Sequence, residues 1–363
     1  MGDRNMANEG HVILLKASVA EWNDWRLKNS RIIPNLSGAD LSERNLAGAF
    51  LYTANLSGVN LGGACLKGAN LNQANLFRVD GAEADFTHAS FVKANLSQTE
   101  LVRADFRDAD FSEATLVRAN LSGANLSRAN LRAANLGQAF LFRANLSRAT
   151  LAQASFFKAD LSEADLSGSN LAGANFHAAT LDKANLSGAA ITNANLYSAL
   201  FLRANLENAV LANCSIYGAS FCGVNLEGAK QKDLDIMPVD QPAVSVNNLE
   251  VGQLIGLILH HEKVRAAVES VTLRSVLVLG KFLPGRRPVY DALVEALRLK
   301  DYAPLLMDLD APGSRNMTES IKILGRISKF VVADLTDDPG IVQVLDAIVH
   351  YLPGVPIVPI VES

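Results

Sequence analysis

Residues Ala119–Leu136 read ANLSGANLSRANLRAANL, and the same A-(N/D)-L-x-x pattern continues on both sides without a slip of register. Stepping by five from Leu36 to Leu226 visits 39 positions: 28 Leu, 8 Phe, Ile191, Ile216 and Gly81. Two residues before each of these centres runs a second column, Ala in 31 of 39 cases. A period of five matches neither the 3.6 of a helix nor the 2.0 of a strand, so either element would scatter these columns over several faces. A chain that turns a corner every five residues instead points every centre inward and stacks backbone on backbone, as repeat solenoids do.

Four such corners make a square coil of 20 residues, and the phenylalanines support that number independently. The eight Phe centres form four pairs, Phe86/Phe106, Phe91/Phe111, Phe156/Phe176 and Phe201/Phe221, each separated by 20. Large side chains therefore stack on large ones in adjacent coils. Residues 34–229 hold nearly ten coils, which at ~4.8 Å per coil gives a rod roughly 45 Å long. The Ala column follows from the narrow interior, where a larger second side chain would overpack.

Runs such as ADLSERNLAGAFLYTANLSGVNL (39–61) resemble the pentapeptide repeat family. The resemblance implies a mainly β architecture, a right-handed quadrilateral β-helix of about ten coils. Some members of that family bind DNA gyrase as acidic mimics of a duplex. Charge argues against that role here, because residues 31–230 carry 16 acidic and 16 basic side chains, net zero, whereas a mimic needs a duplex's negative density. A basic nucleic-acid groove is equally unsupported, so nucleic acid is an unlikely partner.

One outward column stands out. Positions one past the centre on a single edge read Phe157, His177, Tyr197 and Tyr217, 20 apart, and predict a continuous exposed aromatic stripe suited to a protein contact. The alternative is a ladder in which ring stacking merely stabilises the coils. Gly81 and Thr99, odd members of the inward columns, suggest a local distortion. Cys65, Cys214 and Cys222 fit no disulfide framework or zinc spacing, and Cys214 reads as a small apolar filler.

The ends of a solenoid need caps. Residues 1–33 form the N-terminal segment, in which 17–28 read as a short helix with Ser18 as N-cap and Trp22 and Trp25 closing the first coil. Residues 230–248 read as a proline-containing linker, and 249–273 as a helical connector whose Val251, Leu254, Ile255 and Ile258 pack under the rod, against the following domain or against a second copy of the protein. His260 and His261 are adjacent rather than i,i+4, so no metal site is expected. No apolar run reaches the ~18 residues a spanning helix needs, and Val12–Leu15 ends at Lys16, so the expectation is a soluble cytoplasmic protein without a membrane partner.

Residues 274–363 alternate strand and helix. Strands at 275–280, 304–309, 330–335 and 355–360 are nearly continuously apolar, which implies a small α/β domain with a parallel sheet covered on both faces. Ligands in such folds sit beyond the carboxyl ends of the strands. Three loops meet there, and they supply Arg286 and Arg287, then Asp308, Asp310, Ser314 and Arg315, then Asp334, Thr336 and Asp337 as candidate ligand-binding residues. Neither GxGxxG nor a Walker pattern is present.

The blocks SVLVLGKFLPGRRPVYDALVEALRLKDYAPLLMDLD and MTESIKILGRISKFVVADLTD resemble TIR-like domains and the related nucleoside deoxyribosyltransferase-like folds, a flavodoxin-like architecture. That resemblance implies cleavage of the N-glycosidic bond of NAD, in several cases on oligomerisation in antiphage defence. The key carboxylate in such enzymes is a Glu in the helix after the third strand, and the corresponding position here is Val344. A valine supplies neither charge nor hydrogen bond to an oxocarbenium-like state. Glu319 and Asp346 are the candidate replacements. The sequence thus favours a scaffold that works by protein assembly, as a homo-oligomer or with a partner, or by ligand sensing. It requires no cofactor, and NAD or a nucleotide is the implied ligand. An NAD glycohydrolase activated by oligomerisation is the alternative.

Overall fold

The structure is a computed structural model that describes residues 7–238, 244–260, 263–264, 274–281, 285–308, 321, 324–325, 328–336, 345–346, 350, 352 and 354–361. The chain divides into two compact units, Met1–Gly256 and Leu257–Ser363.

In the first unit the five-residue period becomes a four-sided parallel coil. Ladder partners lie 20 residues apart, as Asn35 and Asn55 do, with backbone bonds on either side such as Leu36 N to Asn55 O (2.8 Å) and Asn55 N to Pro34 O (2.8 Å). Most corners are β-turns closed by a bond such as Ala39 N to Leu36 O (3.0 Å). The third residue of each turn lies in the left-handed region, with φ near +58° at Glu43, Arg103 and Arg118. Gly, Asn, Gln and charged residues fill most of these positions because β-branched side chains are poorly tolerated there, Thr53 with φ 59° being an exception.

The Leu/Phe and Ala columns are buried through the body of the rod, and Ala39, Ala219 and Leu226 at its ends are partly buried. Phe86 stacks on Phe106 at 4.9 Å and Phe91 on Phe111 at 4.6 Å, with interplanar angles of 6° and 1°. Outside, an asparagine ladder ties coil to coil. Asn55, Asn75 and Asn95 each donate Nδ2 to the Oδ1 of the Asn one coil earlier, while each Oδ1 accepts the backbone N–H two residues ahead. Such ladders satisfy side chains and turns together.

Gly81 causes no distortion: its N–H donates to Glu100 O at 2.8 Å, as the pattern demands. A Cβ there would lie 3.0 Å from Leu101 Cδ2 and 3.4 Å from Phe86 Cε2, so neighbours already fill its space. Thr99 is also accommodated, its hydroxyl donating to Leu96 O at 2.8 Å.

Helices close both ends. The N-terminal cap is two helices rather than one, α1 (Glu9–Ala17) and α2 (Val19–Lys28), with Ser18 Oγ accepting Glu21 N–H as expected. Side chains of α2 meet the open edge of the first coil. Trp22 Nε1 donates to Phe50 O, Asn23 Oδ1 accepts Phe50 N–H, and the buried Arg26 donates to Tyr52 O and Ile32 O. These bonds replace those a preceding coil would have made.

At the other end the stretch expected as a linker carries structure. Strands β1 (Ala190–Thr192), β2 (Val210–Ala212) and β3 (Lys230–Lys232) stack in parallel, and β4 (Leu234–Asp235) pairs antiparallel with β5 (Ser245–Val246). Leu234 and Ile236 are buried, which explains why the chain continues the coil past the last sequence repeat. Helix α3 (Leu249–His260) then covers the end. Its inward residues are Leu249, Gly252 and Ile255, whereas Val251 and Leu254 are exposed and do not pack under the rod. A Cβ on Gly252 would sit 2.9 Å from Val246 Cγ2, so close approach of this helix selects glycine. The side chain of Ile258 lies outside the described residues.

The second unit contains a four-stranded, wholly parallel sheet of order β7-β6-β8-β9, formed by β6 (Ser275–Gly280), β7 (Ala303–Asp308), β8 (Phe330–Asp334) and β9 (Ile357–Ile360). Helix α4 (Arg287–Leu299) follows β6. Leu277, Leu279 and Val331 pack with Ile321 and Leu352 on one face, while Val276, Val278 and Val332 pack with Tyr290 and Leu297 on the other. Burial of both faces accounts for the unbroken apolar strands. Most of residues 316–328 and 339–350, which connect these strands, fall outside the described residues.

Candidate functional site

In the α/β unit the chain passes from β6 to β7 on one side and returns to β8 on the other, so the order reverses between β6 and β8. The crevice of such a sheet opens beyond the carboxyl ends of those two strands. Gly280 ends β6, Asp334 ends β8, and α4 begins beside them.

Four side chains converge there. Asp334, 3% exposed, receives Arg286 Nη2 at 2.7 Å and Tyr290 Oη at 2.5 Å on Oδ2, and Thr336 N–H at 3.0 Å on Oδ1. Arg286 also donates to Thr336 Oγ1 at 3.1 Å. Burial alone would raise the Asp334 carboxyl, but the hydrogen bonds from Tyr290, Thr336 and Arg286 outweigh it and hold the group below the usual carboxylate range. Burial, followed by the hydrogen bond to Asp334, pushes the Tyr290 phenol up, so it stays a donor. A Cβ on Gly280 would fall on the Tyr290 hydroxyl, and glycine at the end of β6 is what admits the ring.

Of the residues expected around the crevice, Arg286, Asp334 and Thr336 are thus brought together, but as a mutual latch. Arg287 is exposed on the first turn of α4. Asp308 ends β7, its side chain outside the described residues, as are Asp310, Ser314, Arg315, Asp337, Glu319 and Val344. Asp346 is exposed on a helical stretch. Tyr290 and Gly280 were missed by reading loops alone. The signal available was a tyrosine one turn into the helix that follows a strand ending in glycine.

On the rod, the aromatic column is contiguous. Phe157 and His177 stack at 5.5 Å, His177 and Tyr197 lie 6.3 Å apart, and Tyr197 and Tyr217 5.6 Å apart. The rings are half-buried rather than fully exposed, because each shields the next. Tyr197 Oη donates to Met237 O at 2.6 Å, which ties the column to the chain that closes the rod. Stacking therefore stabilises the ladder and leaves one edge of each ring at the surface.

A four-sided parallel coil with an aliphatic interior, left-handed corners and an asparagine ladder defines a β-helical repeat solenoid. The chain belongs to the pentapeptide repeat family, whose profile matches in eight copies over residues 35–73, 89–128, 124–162, 159–196 and 191–228. Among solved structures it is similar to HetL, a pentapeptide repeat protein involved in heterocyst differentiation regulation in the cyanobacterium Nostoc sp. strain PCC 7120. That match is 31% identical, covers 58% of this chain and 91% of that one, and has a TM-score of 0.33. A pentapeptide repeat protein of the Arabidopsis thaliana thylakoid lumen is 29% identical over 42% of this chain and 77% of its own, with a TM-score of 0.21. QnrB1, a plasmid-mediated fluoroquinolone resistance protein, is 20% identical over 44% and 82%, with a TM-score of 0.27. No curated protein sequence matches the chain. Among the described residues no helix is long and apolar enough to cross a membrane.

Proposed function

We propose that this protein is a rigid scaffold that works through protein–protein assembly, with self-association as its simplest form. The observation that carries this reading is the contiguous column Phe157, His177, Tyr197 and Tyr217 on the side of a rod whose ends are closed by helices. Capped ends remove edge-to-edge strand addition, so contacts must use the sides. Aromatic side chains held rigid by their neighbours lose little entropy on binding and supply the anchors that interfaces favour.

The α/β unit, in this reading, is a TIR-like ligand-sensing module of a bacterial defence or signalling protein, with NAD or a nucleotide as ligand. What supports sensing over cleavage is the state of Asp334. The buried carboxylate at the mouth of the crevice is already committed to Arg286, Tyr290 and Thr336. A glycosidic cleavage needs a carboxylate free to hold ribose hydroxyls and an oxocarbenium-like state.

The test is mass spectrometric quantification of NAD incubated with concentrated full-length protein, beside Glu319→Gln and Asp346→Asn variants. The proposal expects NAD to remain intact while the protein's melting temperature rises with NAD concentration. Nicotinamide release that either variant abolishes would establish the NAD glycohydrolase instead.

A further inference from the structure

The rod is neutral as a whole but not locally. Residues 114–159 contain six Lys and Arg and no Asp or Glu. On one side of this band residues 80–113 hold eight acidic and three basic side chains, and on the other residues 160–207 hold five acidic and two basic. A cationic collar about two coils wide therefore lies between acidic coils.

Exposed aromatics sit inside the collar. Phe140 occupies a ladder position that Asn or Asp fills in five of the ten coils, pairing Asn120 on one side and Asp160 on the other through the backbone. Its side chain is 54% exposed, and it accepts no N–H two residues ahead, unlike Asn120 and Asp160, which each bond the following serine. The position thus gives up a ladder bond and gains no burial, which the fold does not explain. Phe142, 38% exposed, stands at the next corner with the Arg143 guanidinium 4.9 Å from its ring centre. At the preceding corner Lys158 Nζ lies 5.2 Å from the Phe157 ring. Arg118, at that same corner two coils earlier, donates to the neutral Gln138 at 2.8 Å, and among the described residues neither Arg118 nor Lys158 is in an ion pair, whereas Arg143 is held by Glu163 at 2.6 Å.

We infer that Phe140, with Phe142 and the flanking Arg118 and Lys158, is the docking site of an acidic peptide segment that crosses the rod. Charge complementarity chooses the occupant. A polyanion lying along the axis, such as a single-stranded nucleic acid, would leave the collar after two coil steps, roughly 10 Å, and meet carboxylates in both directions. A short acidic segment running around the rod stays among cations, with an apolar side chain against Phe140 and carboxylates reaching Arg118 and Lys158. This surface lies beside the aromatic column and does not depend on it for its charge or for Phe140.

Fluorescence anisotropy with the full-length chain tests the inference, using a short labelled peptide that alternates glutamate and leucine. A labelled thymidine oligonucleotide of equal charge is the second arm. Phe140→Asn restores the ladder residue, so the variant should fold and melt at or above the parent temperature. It should nevertheless weaken peptide binding on the order of tenfold. Arg118→Gln with Lys158→Gln should weaken it about three- to tenfold and flatten its salt dependence. Unchanged affinity in Phe140→Asn, tighter binding of the oligonucleotide than of the peptide, or no peptide binding by the parent protein would each overturn it.

Discussion

Gly81 is the member of the inward column without a side chain, and restoring the consensus there should harm the protein. Phe86 and Leu101 already occupy the space a leucine would need, in a core that packs to solid density. Gly81→Leu should therefore destabilise the rod by about 1–3 kcal/mol, read as a lower unfolding midpoint in denaturant. Cysteine chemistry divides in the same way. Burial pushes the Cys214 thiol up to about 11, and its Sγ faces Ile191 O at 3.1 Å, while Cys222 is exposed. A thiol reagent at mild alkaline pH should modify Cys222 in the native protein and reach Cys214 only after unfolding, as peptide mapping would report. Asp334 carries a pH prediction. Its folded-state affinity for protons is depressed, so the stability it contributes is present above the ordinary value of 3.8 and is lost as pH falls through the lower folded value. Hydrogen exchange at β6 and β8 amides should accelerate in acid below that range. Asp334→Asn should cost about 3 kcal/mol at neutral pH and remove the acid dependence. The residue types of the core were legible because each inward column runs through 39 positions and is mostly Leu and Phe or Ala. The latch was not, since nothing in a sequence tells that Arg286 turns toward Asp334 rather than toward solvent.

The coil is the unit of this rod, and its length was written in the spacing of the phenylalanine pairs. Stability in such arrays is close to a sum over coils and their contacts with neighbours. Removing residues 161–180 takes out one whole coil and keeps every ladder in phase. That deletion should fold with a far-UV spectrum like the parent's and a melting temperature within several degrees. Removing only 161–165 preserves the five-residue pattern but shifts Phe176 off Phe156 and Asn185 off its column. It should melt lower than the larger deletion, a comparison that a thermal scan of both makes directly. The two caps were legible to different degrees. Trp22 and Trp25 stood out in α2, whereas α1 and the coil continuing through Leu234 and Ile236 lack the repeat and were set by what the open ends of the solenoid needed covered. The strands of the α/β unit fell within a few residues of expectation because a doubly buried strand is apolar throughout.

At the scale of the whole molecule, a period of five encodes a stiff surface rather than a cavity. Every inward position is spent on packing, so specificity must lie in the outward columns, where charge and aromatic residues vary from coil to coil. The α/β unit adds one latched crevice, and the chemistry of its ligand was legible only through resemblance, because the fold alone does not specify it. The central claim is that the aromatic column joins copies of the protein, and the most direct measurement is the solution mass of the full-length chain by light scattering over the micromolar range. The account predicts a mass that rises with concentration to that of a defined oligomer, and a return to the monomer in Phe157→Ser with Tyr217→Ser, two changes at half-buried turn positions outside the core. A monomer at all concentrations, or an oligomer that the double variant leaves intact, would contradict it.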